Sequence, residues 1–563
     1  MNAIVLALIG LAAVFGGYRF YSKFIAEKIY QLDPSFETPS HTMRDDIDYV
    51  PTNKFVLWGH HFTAVAGAAP IIGPGIAVIW GWLPAFIWVV VGTMFFAGVH
   101  DFGAIWASVR NKAQSVGSLT GEVVSHRART LFMVVVFFLL LMVNAVFAVA
   151  ISDALVVTPA SVIPAWSAIF VALAIGVLLY KVGVGIMWPT VIGTVVLYAV
   201  IWLGEAVPVE LPATIAGLGP QAQWILILFG YAAVASMLPV WLLLQPRDYI
   251  NGVQLIIGLG LLYGAVLLAN PSIVAPAINP NLPAATPPMF PLLFVTIACG
   301  AISGFHGLVS SGTTSKQLDK ETDARQVGYL GSLGEGALAL IAIIAATAGF
   351  SSLGEWEAVY TEFGAGGMAA FVQGGATIAS AGLGLRFTFA ETLLTVMAVL
   401  FAGTTMDAGV RLQRYILQEW GTIYDIPPLK NGYLATGIAV GACLVLAFGA
   451  TPSGAPVGTG GMAIWPLFGT TNQLLAGLTL LVISTMLVKL GRPSRYTLIP
   501  MVFVTTMALF SALIQLGDLY TNGQYVLLTI DIAIIICAVF VMLEASSALL
   551  RERRAATSTV TAE

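Results

Sequence analysis

Charge is what these 563 residues have least of: Asp, Glu, Lys and Arg make up 9% of the chain, against 58% hydrophobic. Soluble proteins carry about 25% charged residues, so a water-soluble globular fold is excluded and a polytopic membrane protein is indicated. Cysteine is scarce too. Cys299, Cys443 and Cys537 stand far apart in apolar runs with no CxxC spacing. That excludes a disulfide framework or a thiolate metal knuckle and leaves three small core residues. No GxxxxGK[ST] occurs, so ATP-driven pumping has no support. No basic, aromatic-interleaved surface suggests nucleic acid. The opening MNAIVLALIGLAAVFGGYRFYSKF lacks a basic n-region and an AxA-type cleavage site. It reads as a retained first span, not a signal peptide.

What the chain has is apolar runs long enough to cross a bilayer. Fifteen are expected: 2–20, 55–80, 82–107, 128–151, 164–181, 186–205, 221–245, 251–270, 288–311, 328–350, 387–410, 432–450, 471–488, 496–517 and 524–549. The run 367–385, rich in Gly, Ala and Ser, is ambiguous. The 24 Lys and Arg place it. Residues 152–163, 206–220, 271–287, 351–385, 451–470 and 518–523 contain none, and the intervening connections hold nearly all of them. By the positive-inside rule those connections are cytoplasmic. The alternation requires 387–410 to be a span and 367–385 a re-entrant or surface helix on the outer side. The N-terminus is then outside and the C-terminus inside.

The stretch 55–80, FVLWGHHFTAVAGAAPIIGPGIAVIW, cannot be one uninterrupted helix. Gly67, Pro70, Gly73 and Pro74 fall in its middle, and prolines there free backbone groups that lipid does not satisfy. Secondary transporters use such breaks to bind substrates and ions. A Pro-kinked helix packed through its glycines is the plainer alternative. A second interruption is expected in 221–245, which ends SMLPVWLLLQPRDYING, with Ser236 before Pro239. Counted from Phe55, the two interrupted spans are first and sixth and run in opposite directions. Five spans followed by five inverted ones is the LeuT-like inverted-repeat plan. The organisation read from this is a peripheral span and loop (1–54), a transporter core (55–411, with repeats 55–205 and 221–411) and a C-terminal four-helix membrane region with a short basic tail (412–563).

The stretches HHFTAVAGAAPIIGPG, the pair His100–Asp101, QPRDYING, FHGLVSSGTTSK, TTMDAGVRLQRYILQE and WPLFGTTNQLLAG together resemble the carbon starvation protein A family, across essentially the whole chain. Ser315 departs from the proline of many members, and the chain ends soon after its last span where longer relatives continue. The resemblance implies an inner-membrane carrier, not an enzyme. Members are described as peptide transporters linked to scavenging when carbon runs short, and some relatives take up pyruvate by proton symport. Short peptides are the first expectation for substrate and a small carboxylate such as pyruvate the second. A channel or a membrane-embedded nutrient sensor is the alternative class.

Candidate substrate-site residues are those at the expected breaks, Gly67, Ala69, Pro70, Gly73, Ser236 and Pro239, with Ser303. Half-helix ends there offer free N–H groups and a positive dipole to a carboxylate. Ser303, His306, Ser310 and Thr313 recur at helical spacing and read as one polar stripe, flanked by Ser311 and Thr314. Interhelical hydrogen bonding would account for the hydroxyls. His306 adds a group that titrates near neutral pH, a proton carrier within the membrane. The same hydroxyls and the carbonyls freed around 65–70 would also suit sodium. The proton is the favoured coupling ion, sodium the alternative, and no other cofactor is expected.

His60 and His61 lie at the same end of the membrane as His100 and Asp101, so contact between the pairs is geometrically possible, as a proton relay, an inner gate, a His/Asp metal site or a structural cluster. Adjacent histidines on a helix point about 100° apart, which argues against a shared metal. Thr404, Asp407, Arg411 and Arg414 form a further face, with Asp407 and Arg411 an i,i+4 pair. Asp407 reads as a gate or ion ligand, or as half of a surface pair worth little. Glu391 and Glu335 are weaker candidates, and Arg247–Asp248 an interfacial anchor.

Overall fold

In lipid every backbone amide must pair within its own segment or inside the protein, and the chain meets that demand with helices. A computed structural model describes all residues except 46–47, 240, 285, 452–455 and 561–563. The uncharged connection 451–470 and the end of the basic tail therefore lie partly outside the described residues. Among those described there is no sheet, only three isolated bridges. The main helices are α1 (Ala3–Tyr30), α2 (Lys54–Val65), α3 (Ala69–Trp80), α4 (Trp82–Arg110), α5 (His126–Val157), α6 (Pro159–Val182), α7 (Met187–Ala206), α8 (Pro220–Met237) and α9 (Leu244–Ala269). They continue as α10 (Met289–Thr296), α11 (Gly304–Val309), α12 (Glu321–Ala348), α13 (Gly367–Leu383), α14 (Phe387–Ile423), α15 (Gly432–Gly449), α16 (Gly461–Lys489), α17 (Arg495–Thr521) and α18 (Tyr525–Val560). Among the described residues twelve helices are long and apolar enough to cross a membrane, or thirteen if the bent pair α2–α3 is one span. The protein is a multi-pass membrane protein.

Two of the fifteen expected spans differ. The run 221–245 is not an interrupted helix: α8 stops at Met237, α9 starts at Leu244, and Pro239 stands in the connection between them. Proline forbids the ladder equally well at a turn or a break. The run 288–311 is the interrupted one. After α10 the chain leaves helical geometry at Ile297, turns through Gly300 at φ +93 and resumes at Gly304. That backbone conformation favours glycine.

The first interruption falls where the sequence places it, with α2 and α3 bent by 49°. The two interrupted elements pack antiparallel: α3 lies on α10 and α2 on α11. At the crossing a Cβ on Gly73 would come within 2.5 Å of the Thr296 carbonyl, and Gly300 lies beside Pro70. The bundle's core is centred here. Helices α5, α12, α14 and α16 have the most buried apolar stretches and enclose the breaks.

The helix α13 is not on the surface. Ten of its seventeen residues are buried. It crosses one end of the bundle, touching α3 at Gly367, the last turn of α12 at Gly374 and the last turn of α9 at Gly382.

Candidate functional site

Two buried polar clusters flank the first break. One is built on the helices that follow the two interruptions. α4 carries His100 and Asp101, α11 carries His306, and α12 carries Ser332 and Glu335; all five are buried. Asp101 Oδ1 lies 2.7 Å from His100 Nδ1, and its Oδ2 lies 2.9 Å from His306 Nδ1. Ser332 donates to the same Oδ2 at 2.6 Å. An ionised carboxylate only accepts, so both imidazoles carry their proton on Nδ1 in this arrangement. The far nitrogen of His306, Nε2, lies 3.3 Å from Glu335 Oε2, near enough for an ion pair but off hydrogen-bond geometry. The other Glu335 oxygen accepts the Gly300 amide at 3.0 Å. A group freed by the second break is thus paired by a carboxylate.

The turn between α10 and α11 is held from α16. Asn472 accepts the Phe305 amide at 3.0 Å and donates to Ser303 at 3.0 Å and to the Cys299 sulfur at 3.2 Å. Cys299, His306 and Glu335 bring a sulfur, a ring nitrogen and a carboxylate oxygen within 4.8 Å of one another, the spacing at which three side chains can share one cation.

The second cluster joins α8, α9 and α14. Arg247 pairs with Asp407, and Tyr231 donates to the same carboxylate oxygen at 2.8 Å. Arg247 Nη1 also donates to the Tyr231 oxygen at 2.6 Å. Next to it Asn251 donates to Thr404 at 2.7 Å, and Asp248 lies 3.8 Å from His60. The guanidinium fits because Gly403 has no side chain: a Cβ there would come within 2.7 Å of Arg247 Nη2. Arg247, Tyr231, Trp166, Leu155, Leu228 and Met406 are among the residues lining a small cavity of ≈ 30 Å³. α14 ties this cavity to the first break, since Gly67 packs against Thr405.

Several sequence expectations change. The polar stripe does not lie on one face, because Ser303 precedes α11 and Ser310–Thr314 form a π turn that shifts the phase. Ser311 donates to the Gly307 carbonyl and Thr313, which is exposed, to that of Val309. Ser310 is buried without a partner. Of the hydroxyls considered for a sodium cage only Thr314 reaches the first interrupted element, at 2.9 Å from His61 Nδ1. His60 and His61 do not pair with Asp101; His61 packs on Gly331 and His60 faces Asp248. Asp407 and Arg411 are not a surface pair: both are buried, and Arg411 donates to the Ala235 and Leu238 carbonyls. Ser236 donates to Ala233, and its helix packs chiefly on α5, α14 and α15. Ser236 and Pro239 therefore sit apart from Gly67, Ala69, Pro70 and Gly73. Arg247–Asp248 is buried and no interfacial anchor.

With this geometry in place, comparison with known proteins gives a clear result. The family profile described as carbon starvation protein CstA matches residues 2–352 and 351–511. The chain belongs to the CstA family. A peptide transporter CstA of Campylobacter jejuni is 34% identical over 91% of this chain and 80% of its own length. The peptide transporter CstA of Escherichia coli is 32% identical over 89% and 79%, and that organism's pyruvate/proton symporter BtsT is 31% identical over 93% and 84%. Among solved structures, MhsT in complex with L-phenylalanine covers 88% of this CstA-family chain and 99% of its own, at 12% identity and a TM-score of 0.47.

Proposed function

We propose that this CstA-family protein is an ion-coupled secondary transporter that imports short peptides by alternating access, serving nutrient scavenging under carbon starvation. The observation that carries this reading is the crossing of two interrupted helices at Gly73–Thr296 and Pro70–Gly300, with a buried ionisable triad against one of them. Interrupted helices inside a protein are where carriers handle solutes. On this reading the core is residues 55–411, LeuT-like in its two antiparallel interrupted elements, with 289–314 in place of 221–245 as the second; that element follows seven others counted from α2–α3, so the division into repeats 55–205 and 221–411 is not kept. The protein crosses the inner membrane with the N-terminus outside and the C-terminus cytoplasmic; residues 412–563 are not all peripheral, since α16 packs against the second interrupted element inside the bundle.

The proton is the coupling ion. Asp101 and Glu335 flank His306, so an imidazolium between two carboxylates leaves the buried triad one negative charge in excess, and one further proton makes it neutral. Uncompensated charge inside a membrane protein is expensive, so the closed, water-free states favour the loaded form. His100, His61 and Cys299 are the other titratable groups around the triad. Pyruvate/proton symport is the second reading, supported by the 31% identity to a relative of that name. Uptake of labelled dipeptide against labelled pyruvate into proteoliposomes, with and without an imposed proton gradient, tests both. Gradient-driven accumulation of dipeptide is expected; passive, uncoupled flux would mark a channel.

A further inference from the structure

The connection between α1 and α2 is stitched to the chain that follows the second interrupted element. Its single helical turn, Pro39–Thr42, lies on Ser315–Gln317. Ser40 donates to the Leu318 carbonyl at 2.8 Å and Thr38 to that of Asp319 at 3.0 Å. The Thr52 amide donates to the Gln317 carbonyl at 3.0 Å, and Thr52 and Leu318 are bridged as in a parallel strand pair. Glu321 fastens the other end of this seam. It accepts the Asp33 amide at 2.6 Å and pairs with Arg110, the last residue of α4. Thr38, Ser40, Leu318 and Glu321 are all buried in the seam.

Chain order gives the seam its meaning. Thr52 stands just before Lys54, where α2 starts, and α2 is cut from α3 at Ala66–Ala68. α2 is therefore a half-helix with a hinge at one end and the seam at the other. On its far side the seam grips the chain immediately after Thr314, where the second interrupted element ends, and through Arg110 it holds α4, which carries His100 and Asp101. α2 cannot swing away from the second element at this end while Thr52 and Leu318 stay paired. Most of the bonds that would part lead to backbone carbonyls, which water satisfies once they are uncovered. We propose that this seam is a latch that holds the end of the bundle at Lys54 shut and parts once in every transport cycle. A carrier that exposes one site alternately needs a closure at each end, and such movements turn on a few residues at the ends of elements. The inference rests on the carrier reading above, for either solute, and adds to it the place of the closure at the end read as cytoplasmic.

The test is a reversible lock on the full chain in proteoliposomes. Paired strands lie about 4.8 Å apart, and a disulfide joins Cα atoms up to about 6.8 Å apart. Thr52→Cys with Leu318→Cys therefore brings two thiols within bonding reach, and the three native cysteines are buried. Uptake and counterflow of labelled dipeptide and of labelled pyruvate are measured reduced, oxidised and reduced again. The oxidised form is expected to lose uptake and counterflow together, and dithiothreitol to restore both. Joining the same cysteines with a long flexible bis-maleimide should leave transport largely intact, because the constraint is one of distance. His41→Cys with Asp319→Cys, a partly exposed pair in the same seam, repeats the experiment with a short bis-thiosulfonate and spares the core. Native transport by a chain that mass spectrometry shows to be fully cross-linked overturns the latch, as does equal loss with the short and the long link. The carrier reading survives either result as long as the reduced form moves solute. If the native chain moves neither dipeptide nor pyruvate, that reading falls and the latch with it.

Discussion

Gly73 and Thr296 meet backbone to backbone, at a distance where a single methyl group on Gly73 would come within 2.5 Å of the Thr296 carbonyl oxygen. A larger residue has to push the two interrupted elements apart, because neither side of the contact is a flexible side chain. Gly73→Leu is expected to abolish uptake and to destabilise the protein by about 1–3 kcal/mol in a detergent melt. Gly73→Ala should show a smaller loss of both. Uptake by Gly73→Leu with native affinity would mean that the crossing is not part of the transport cycle.

Glu335 and His306 separate proton coupling from solute movement. His306→Ala and Glu335→Gln are each expected to lose gradient-driven accumulation and retain counterflow exchange of substrate. Glu335→Gln keeps an oxygen for the Gly300 amide, so its melt should shift less than that of Glu335→Ala. Replacing sodium in the assay should have no effect. Uptake that needs sodium, collapses in Ser310→Ala and tolerates His306→Ala would reassign the coupling ion.

Asn472 is expected to matter for stability before it matters for substrate. It pairs the Phe305 amide, Ser303 and Cys299 from the neighbouring helix α16. Asn472→Ala leaves a buried amide without an acceptor, a loss of about 1–3 kcal/mol. A melt unchanged from the native protein would show that water or a shifted neighbour takes over the bond.

Topology is open to direct measurement. In a background lacking the three native cysteines, single cysteines placed in 271–287 should react with an impermeant reagent from outside sealed cells. One at Lys316 should not. Labelling of Lys316→Cys from the outer face would invert the arrangement, and the coupling direction with it.

The first break was legible because its cause is local: Gly67 and Pro70 stand at the end of one helix and in the first turn of the next, although Gly73 and Pro74, read as part of the break, lie inside α3. The second was not. The segment IACGAIS carries one glycine and no proline, and its non-helical turn is held by distant groups, Glu335 and Asn472. Pro239 gave the opposite error, since a proline marks a helix end and a break with the same residue. His306 stood out as a lone titratable group in an apolar run, whereas Glu335 needed Gly300 and His306 beside it before it acquired a role. Arg247 sits in QPRDYING like any charge at the end of a span. Only the approach of α14, through Gly403, shows it to be internal.

The helix laid across one end of the bundle has a further consequence for leakage. At Gly374 it touches the backbone of Gly349, and at Gly367 that of Gly75, so closely that a Cβ added to Gly349 or Gly75 would come within 2.1 and 2.5 Å of the facing chain. Joints of bare backbone leave no room for a file of water, which needs space and polar partners at every step. No side-chain rotation opens such a joint. At these two joints, parting requires the backbones of α13 and its neighbours to move apart.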